Sequence, residues 1–301
     1  AAIALATLSL AVAVVLALSN PWWLMLAAVF LAFASTQAAL LGHDIAHRQG
    51  FRGRRTNAVA LFVTANVVTG ISHSWWTSSH NAHHAHPNHV DKDPDVQFPM
   101  VVFAAEQLRS KRRWLRPLIG LQAVVFPLLF PLQALNMRVT TVRHLLSGKA
   151  RRPVLQAAGL AVHLAAYAVL LWAIGSWPLA LAFAAVHQLS FGLYNSSVFA
   201  SNHKGMEMVG AGSRLDFLRE QVLTARNVSG SPLLDFWYGG LNYQIEHHLF
   251  PTMPRNNLRK AKPIVQAFCR ERGVAYHEAG LVASYLEGLR HLHSVSAPAR
   301  A

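Results

Sequence analysis

The residues able to do chemistry stand in three short boxes. They are His43-Asp-Ile-Ala-His47, His80-Asn-Ala-His83-His84 and Gln244-Ile-Glu-His247-His248. On a helix, positions i, i+3 and i+4 share one face. His43 and His47 therefore project together, as do His80, His83 and His84, and as do Gln244, His247 and His248. One such cluster is a single wall of a metal site. Three walls of imidazole exceed what one tetrahedral ion uses, so more than one ion is expected. With no cysteine near the boxes, nitrogen donors favour a first-row transition metal such as iron or zinc. The one cysteine, Cys269, excludes an internal disulfide, an iron–sulfur cluster and a thiolate zinc site built from this chain. It reads as a small buried apolar residue.

The boxes need a scaffold, and the composition says which kind. Of 301 residues, 53% are hydrophobic and only 13% charged, with mean hydropathy +0.27, too apolar for an ordinary soluble domain. The net charge is +14. No basic run is interleaved with base-stacking aromatics, so nucleic acid is a poor partner. Basic loops on one side of a membrane explain the excess better. An anionic membrane face, an acyl-CoA phosphate or an acidic electron carrier would profit from the same charge.

Apolar runs and basic loops then give a topology. Residues 1–18 are uncharged and long enough to span about 27 Å as a helix. They lack a basic leader segment, and the start on Ala inside an apolar run leads us to expect a preceding extension. After the Ser19-Asn20-Pro21 turn, 22–41 returns across the membrane with Trp22 and Trp23 at the interface. Box 1 follows, and then Arg48, Arg52, Arg54 and Arg55, which mark the cytoplasmic side. The short run 57–71, broken by Thr64, Asn66 and Thr69, is expected to be a buried or interfacial helix leading to box 2. Residues 118–135 hold Pro127 and Pro131 mid-run, which fits a kinked interfacial helix rather than a span. Basic stretches at 109–116 and 138–152 flank it. Residues 154–172 and 179–199 make a second hairpin, and the polar, basic remainder from 200 onward delivers box 3. The expected fold is an all-α integral membrane protein, 1–301 as one domain. It has four transmembrane helices in two hairpins, and a cytoplasmic helical cap (42–153 and 200–301) carries the histidine-rich di-metal site.

The boxes also carry a resemblance. Their order and spacing, interleaved with apolar spans, resemble the membrane fatty acid desaturase family. The third box, in LNYQIEHHLFPTMP (241–254), is similar to that of front-end acyl desaturases. The likeness runs from about residue 22 to about 276. It implies a di-iron enzyme that uses O2 and two external electrons to desaturate a fatty acyl chain, as an acyl-CoA or an acyl-lipid. Family members with a fused cytochrome b5 carry His-Pro-Gly-Gly, whereas the His-Pro here (His86-Pro87) continues with Asn88. A separate ferredoxin or cytochrome b5 is thus expected to dock on the basic face. The expected location is a bacterial cytoplasmic membrane, multi-pass, with the active site and both termini cytoplasmic.

The resemblance also bears on the ligand count. In related desaturases the third box often begins with histidine, and a further histidine near the end of the fourth span joins the set. Here the box begins with Gln244, a hydrogen-bond partner more than a ligand, and His203 ends the expected fourth span. The expected ligands are His43, His47, His80, His83, His84, His203, His247 and His248. Should His203 cap the span instead, His86, His89 or Gln244 would supply the missing position. The family's Asn-x-x-x-His pattern is broken by Phe199; Asn195 or Asn202 is the candidate to hold a metal-bound water. Asp44 lies inside box 1, and Asp91 and Asp95 bound a polar loop (91–95) that also holds Asp93. These carboxylates either brace ligand imidazoles or face solvent.

The remaining histidines read as non-ligands. His163 is expected to be a packed, hydrogen-bonded core residue, and His187 a structural or substrate-tunnel residue. His73, His86 and His89 are expected near the site or at the surface, and His144, His277, His291 and His293 in solvent. Three rival functions fit parts of the pattern. A hydroxylase of an acyl chain, sphingolipid or alkane uses the same scaffold. A membrane zinc hydrolase would need a general base, for which Glu246 and Asp44 are the only in-box carboxylates. A non-catalytic membrane receptor or carrier would keep the metal for structure alone.

Overall fold

The computed structural model describes residues 2–300 and is mostly helical. Helix α1 (Ala2–Ala17) carries no charge. Helix α2 (Pro21–Ala46) begins where Asn20 Oδ1 accepts the Trp22 amide at 3.0 Å, with Pro21 in the first turn, where its missing N–H is no loss. Helix α3 (Arg54–Phe62) widens into a π-helical segment (Val63–Val68). Gly70 ends that segment with φ +66°, and a Cβ there would lie 2.4 Å from the His163 ring. The chain turns by 109° into α4 (His73–Ala85), which carries box 2. Short helices α5 (Arg116–Gly120) and α6 (Gln122–Leu128) precede α7 (Gln133–Leu146).

Two long helices follow, α8 (Pro153–Ala173) and α9 (Trp177–His203). Then come α10 (Phe217–Leu223), strand β1 (Asn227–Val228), α11 (Pro232–Tyr238) and α12 (Gln244–Leu249), which carries box 3. Helix α13 (Arg255–Glu271), strand β2 (Glu278–Ala279) and α14 (Leu281–Val295) complete the order. The strands pair in parallel, Asn227 opposite Glu278.

Contacts group the chain into two compact units, where the sequence predicted one domain. The first comprises Ala1–Thr77, within the described residues, and Phe130–Ser196. Its core is helix on helix: Ala11 and Val15 of α1 against Leu24, Ala28 and Leu31 of α2, joined by Leu170 and Phe183. Small residues on α2 (Ala27, Ala28, Ala32, Ala34, Ala38) are buried and permit close helix approach. The second unit comprises Ser78–Leu129 and Ser197–Ala301, again within the described residues. There, amphipathic α13 turns Val265 and Cys269 inward onto Ile245 of α12 and Val222 of α10. Cys269 is fully buried and free of disulfide bonding.

Among the described residues, two helices are long and apolar enough to cross a membrane, Pro21–Ala46 and Pro153–Ala173. The count rises to four if each bent pair is one span: Arg54–Val68 with His73–Ala85, and Gln122–Leu128 with Phe130–Leu146, the latter bent by 44°. These differ from two of the expected spans. Helix α1 has 16 residues and is short for a crossing. Helix α9 has 27, but His187, Gln188 and Asn195 interrupt its apolar run. The kink expected in 118–135 is present, with Pro127 inside α6.

Candidate metal centre

Box 1 closes α2 in the first unit. Asn57 Nδ2 donates to the Ile45 carbonyl at 2.7 Å and fixes the last turn. His43 and His47 are both buried, with ring centroids 4.7 Å apart, as their one-turn spacing requires. Trp76 meets the His43 ring edge-on at 5.6 Å. Asp44 Oδ1 lies 3.8 Å from His43 Nδ1. Asn195, also in this unit, donates to Phe191 O at 2.8 Å and Thr36 Oγ1 at 3.3 Å.

The other six expected ligands converge within the second unit. Helix α4 brings His80, His83 and His84; the end of α9 brings His203; α12 brings His247 and His248. Ring centroids lie 4.6 Å apart for His83–His203, 4.7 Å for His203–His248, 4.3 Å for His84–His248 and 4.8 Å for His84–His247. His80 Nε2 and His84 Nε2 are 3.1 Å apart. Nitrogens of His83, His203 and His248 all lie within 4.8 Å of one another.

What suits these three to a metal is how their outer nitrogens are engaged. His83 Nδ1 donates to Asp93 Oδ2 at 2.9 Å, His203 Nδ1 to Thr224 O at 3.0 Å, and His248 Nδ1 to Gln221 Oε1 at 3.0 Å. Each bond fixes the tautomer and leaves the Nε2 lone pair facing inward. His83 Nε2 and His203 Nε2 face each other at 3.3 Å, an approach that a shared proton or a metal cation would satisfy. Among the described residues, the buried His248 Nε2 has no hydrogen-bond partner. That set of lone pairs fits a nitrogen-bound metal. Burial holds His203 and His248 well below the ordinary histidine range, so both are neutral and able to ligate. At His83 burial opposes the charge, but the Asp95 and Asp93 carboxylates outweigh it and raise its pKa.

Around the imidazoles, roles divide unevenly. The loop after box 2 winds about Asp93, whose Oδ2 also accepts the Asn88 amide at 2.8 Å and whose Oδ1 accepts the Asp95 amide at 2.9 Å. Burial opposes its ionisation, yet the His83 hydrogen bond and the nearby Lys204 keep Asp93 well below the usual carboxylate range. Asp95 Oδ2 is 3.7 Å from His83 Nδ1 and half-exposed. Asp91 is exposed, and only its amide takes part, donating to His89 Nδ1 at 3.2 Å. The sequence offered this loop's carboxylates as candidates and singled out the two outer ones; the middle one braces His83.

Gln244 accepts from Asn202 Nδ2 at 3.0 Å through Oε1, and its own amide reaches His203 Nε2 at 3.0 Å. A metal on that nitrogen therefore requires Gln244 to give up this contact. Glu246 points its oxygens elsewhere, accepting from Asn227 Nδ2 at 2.6 Å and Tyr276 Oη at 2.7 Å, while burial raises its pKa. Glu246, one of the two in-box carboxylates open to a zinc hydrolase as its base, is thus committed to holding α12.

Of the histidines expected in solvent, His293 is exposed, but the other three are better engaged than that. His144 meets Ser74 Oγ at 3.0 Å, His277 meets Glu287 at 2.8 Å and His291 donates to Phe103 O at 2.7 Å. His163 donates to Val67 O at 3.1 Å, and His187 meets Tyr167 Oη at 2.9 Å. His73 Nδ1 bonds Asn66 Oδ1 at 2.6 Å, and His86 lies 3.9 Å from Glu220.

A family model described as "Fatty acid desaturase" matches residues 20–280. The chain belongs to the fatty acid desaturase family. Similar desaturases include a Delta(6)-fatty-acid desaturase of Caenorhabditis elegans, 31% identical over 280 residues, which cover 88% of this chain and 62% of that protein. An acyl-lipid (9-3)-desaturase of Physcomitrium patens is 32% identical over 288 residues, 89% of this chain and 53% of that one. Fatty acid desaturase 3 of Bos taurus is 33% identical over 282 residues, 91% and 62%. The chain thus spans about half to three-fifths of the length of these desaturases. All three come from eukaryotes, and none supports the bacterial membrane expected from the sequence.

Proposed function

We propose that this desaturase-family chain introduces a double bond into a fatty acyl chain, using O2, two electrons from an external donor and a pair of irons. The observation that supports it most is the convergence of six histidines, three of them with Nδ1 anchored and Nε2 turned inward. His43 and His47 complete the set of eight ligands in this reading, and the two compact units act as one desaturase domain. A pair of irons held by these histidines would supply an oxidant strong enough to take hydrogen from an unactivated methylene. The chain's own residues hold and tune that centre. Asp93, Thr224 and Gln221 keep the ring protons on Nδ1. Burial keeps the His203 and His248 imidazoles neutral. Asn202 orients Gln244 beside the His203 ring. Apolar helices give the acyl chain a route from the bilayer and keep bulk water away.

The proposed topology has four crossings, with both termini and the boxes on the side of the basic loops. A ferredoxin or cytochrome b5 type donor docks on that side. Expression in a host of known lipid content, with new double bonds located by mass spectrometry, tests the reading. The result expected is a new unsaturated acyl species that disappears with His248→Ala. A hydroxylated product would favour the rival oxygenase, and an unchanged lipid profile with donor present would refute both.

A further inference from the structure

We infer that Arg226, a residue outside every box, is the positioning residue that aims His203 at the metal centre. The inference rests on the ligand reading of His203 given above. Helix α9 ends at His203, and the last carbonyls of a helix have no partner within it. Here each of the final ones is taken. Arg226 Nε donates to Ser201 O at 2.8 Å, the Arg226 amide donates to Asn202 O at 2.9 Å, and Arg226 Nη2 donates to Lys204 O. Asn88 Nδ2 donates to His203 O at 3.0 Å. One arginine therefore grips the carbonyls on both sides of the ligand, and its positive charge sits at the negative end of the helix.

The grip is rigid because the arginine is itself held. Its side chain has no solvent exposure, and a buried charge needs compensation. Glu287 accepts from Nη1 and also pairs with His277 Nε2 at 2.8 Å. The next residue ties the same strand to box 3. Asn227 Oδ1 accepts the Ile245 amide at 2.9 Å, and its Nδ2 donates to Glu246 Oε2 at 2.6 Å. Strand β1 thus registers the end of α9 against α12, so His203 and the His247–His248 pair are set by adjacent residues.

The test is cobalt(II) binding to the purified full chain in detergent, followed by titration calorimetry and the visible spectrum. Four variants are compared: Arg226→Met, Arg226→Lys, His203→Ala and the double variant Arg226→Met/His203→Ala. His203→Ala reports on the ligand reading itself and should weaken one of the two cobalt equivalents at least tenfold. Arg226→Met should weaken that same equivalent about tenfold and leave the other unchanged, with helical circular dichroism retained. Arg226→Lys, which reaches fewer carbonyls, should fall between. The double variant should bind no worse than His203→Ala alone, since a residue acting through His203 has nothing left to act on. Arg226→Met with both equivalents intact overturns the inference while His203 stands. So does proportional loss of both equivalents with helix content, or a further loss in the double variant. If Arg226→Met does not fold, an Arg226→Lys protein with wild-type cobalt binding overturns it equally. His203→Ala with both equivalents intact overturns the ligand reading and the inference with it.

Discussion

An imidazole offers a metal one nitrogen, and its hold on the other decides how well it does so. Asp93 is the strongest such hold here, a fully buried carboxylate shared between His83, the Asn88 amide and the Asp95 amide. Asp93→Asn keeps the shape but loses the charge. It should lower metal affinity on the order of 10–100-fold, as loss of a ligand's outer partner does, measured by metal retention against a chelator series. Glu246 makes the opposite case. Glu246→Gln should keep metal content and keep activity within about fivefold, because its bonds to Asn227 and Tyr276 brace α12; a zinc hydrolase would lose activity by about a hundredfold or more. The boxes were legible because i, i+3, i+4 spacing writes a helix face into the sequence. Asp93 could not be singled out from its loop, and Arg226 was not seen at all. The first lies in an aperiodic loop among three aspartates, and the second in a basic stretch that reads as solvated, so only the fold reveals their burial.

The helices position the boxes through their ends more than their middles. Box 1 sits in the last turn of α2, His203 ends α9, and α4 begins after a sharp break. That break depends on Gly70, since a side chain would meet both the His163 ring at 2.4 Å and Arg138 Nη1 at 2.7 Å in a left-handed backbone conformation. Gly70→Ala should destabilise the protein by at least about 2 kcal/mol, the backbone and overpacking costs together, read as a lower melting temperature in detergent. Composition showed where apolar segments lie but not how they end. The run 57–71 reads as a short helix in sequence; no periodicity encodes its π-helical finish, where the Thr69 amide donates to Thr64 O at 3.0 Å, or the 109° turn that follows. The expected crossings at 1–18 and 179–199 met a different limit: α1 has only 16 residues, and in α9 His187, Gln188 and Asn195 lower the hydropathy of an otherwise long enough helix.

On the scale of the whole molecule, charge and apolarity are divided between the units. In the first unit Asp44 is the one acidic residue among the described positions, against basic residues such as Arg48, Arg55, Arg138 and Arg152. Helix α8 leaves Val162, Leu164 and Val169 exposed, a face that lipid would cover. Val162→Glu should then impair membrane insertion, at a cost of about 2–3 kcal/mol near a span's centre, measured by glycosylation-mapped insertion of the segment. The desaturase account depends above all on the eight histidines holding two ions of one kind. Iron content per chain, by elemental analysis of purified protein reconstituted with ferrous iron and washed with a mild chelator, tests this most directly. Two irons per chain are predicted, falling with His248→Ala; a single ion per chain, or tightly held zinc that iron cannot displace, would contradict the account.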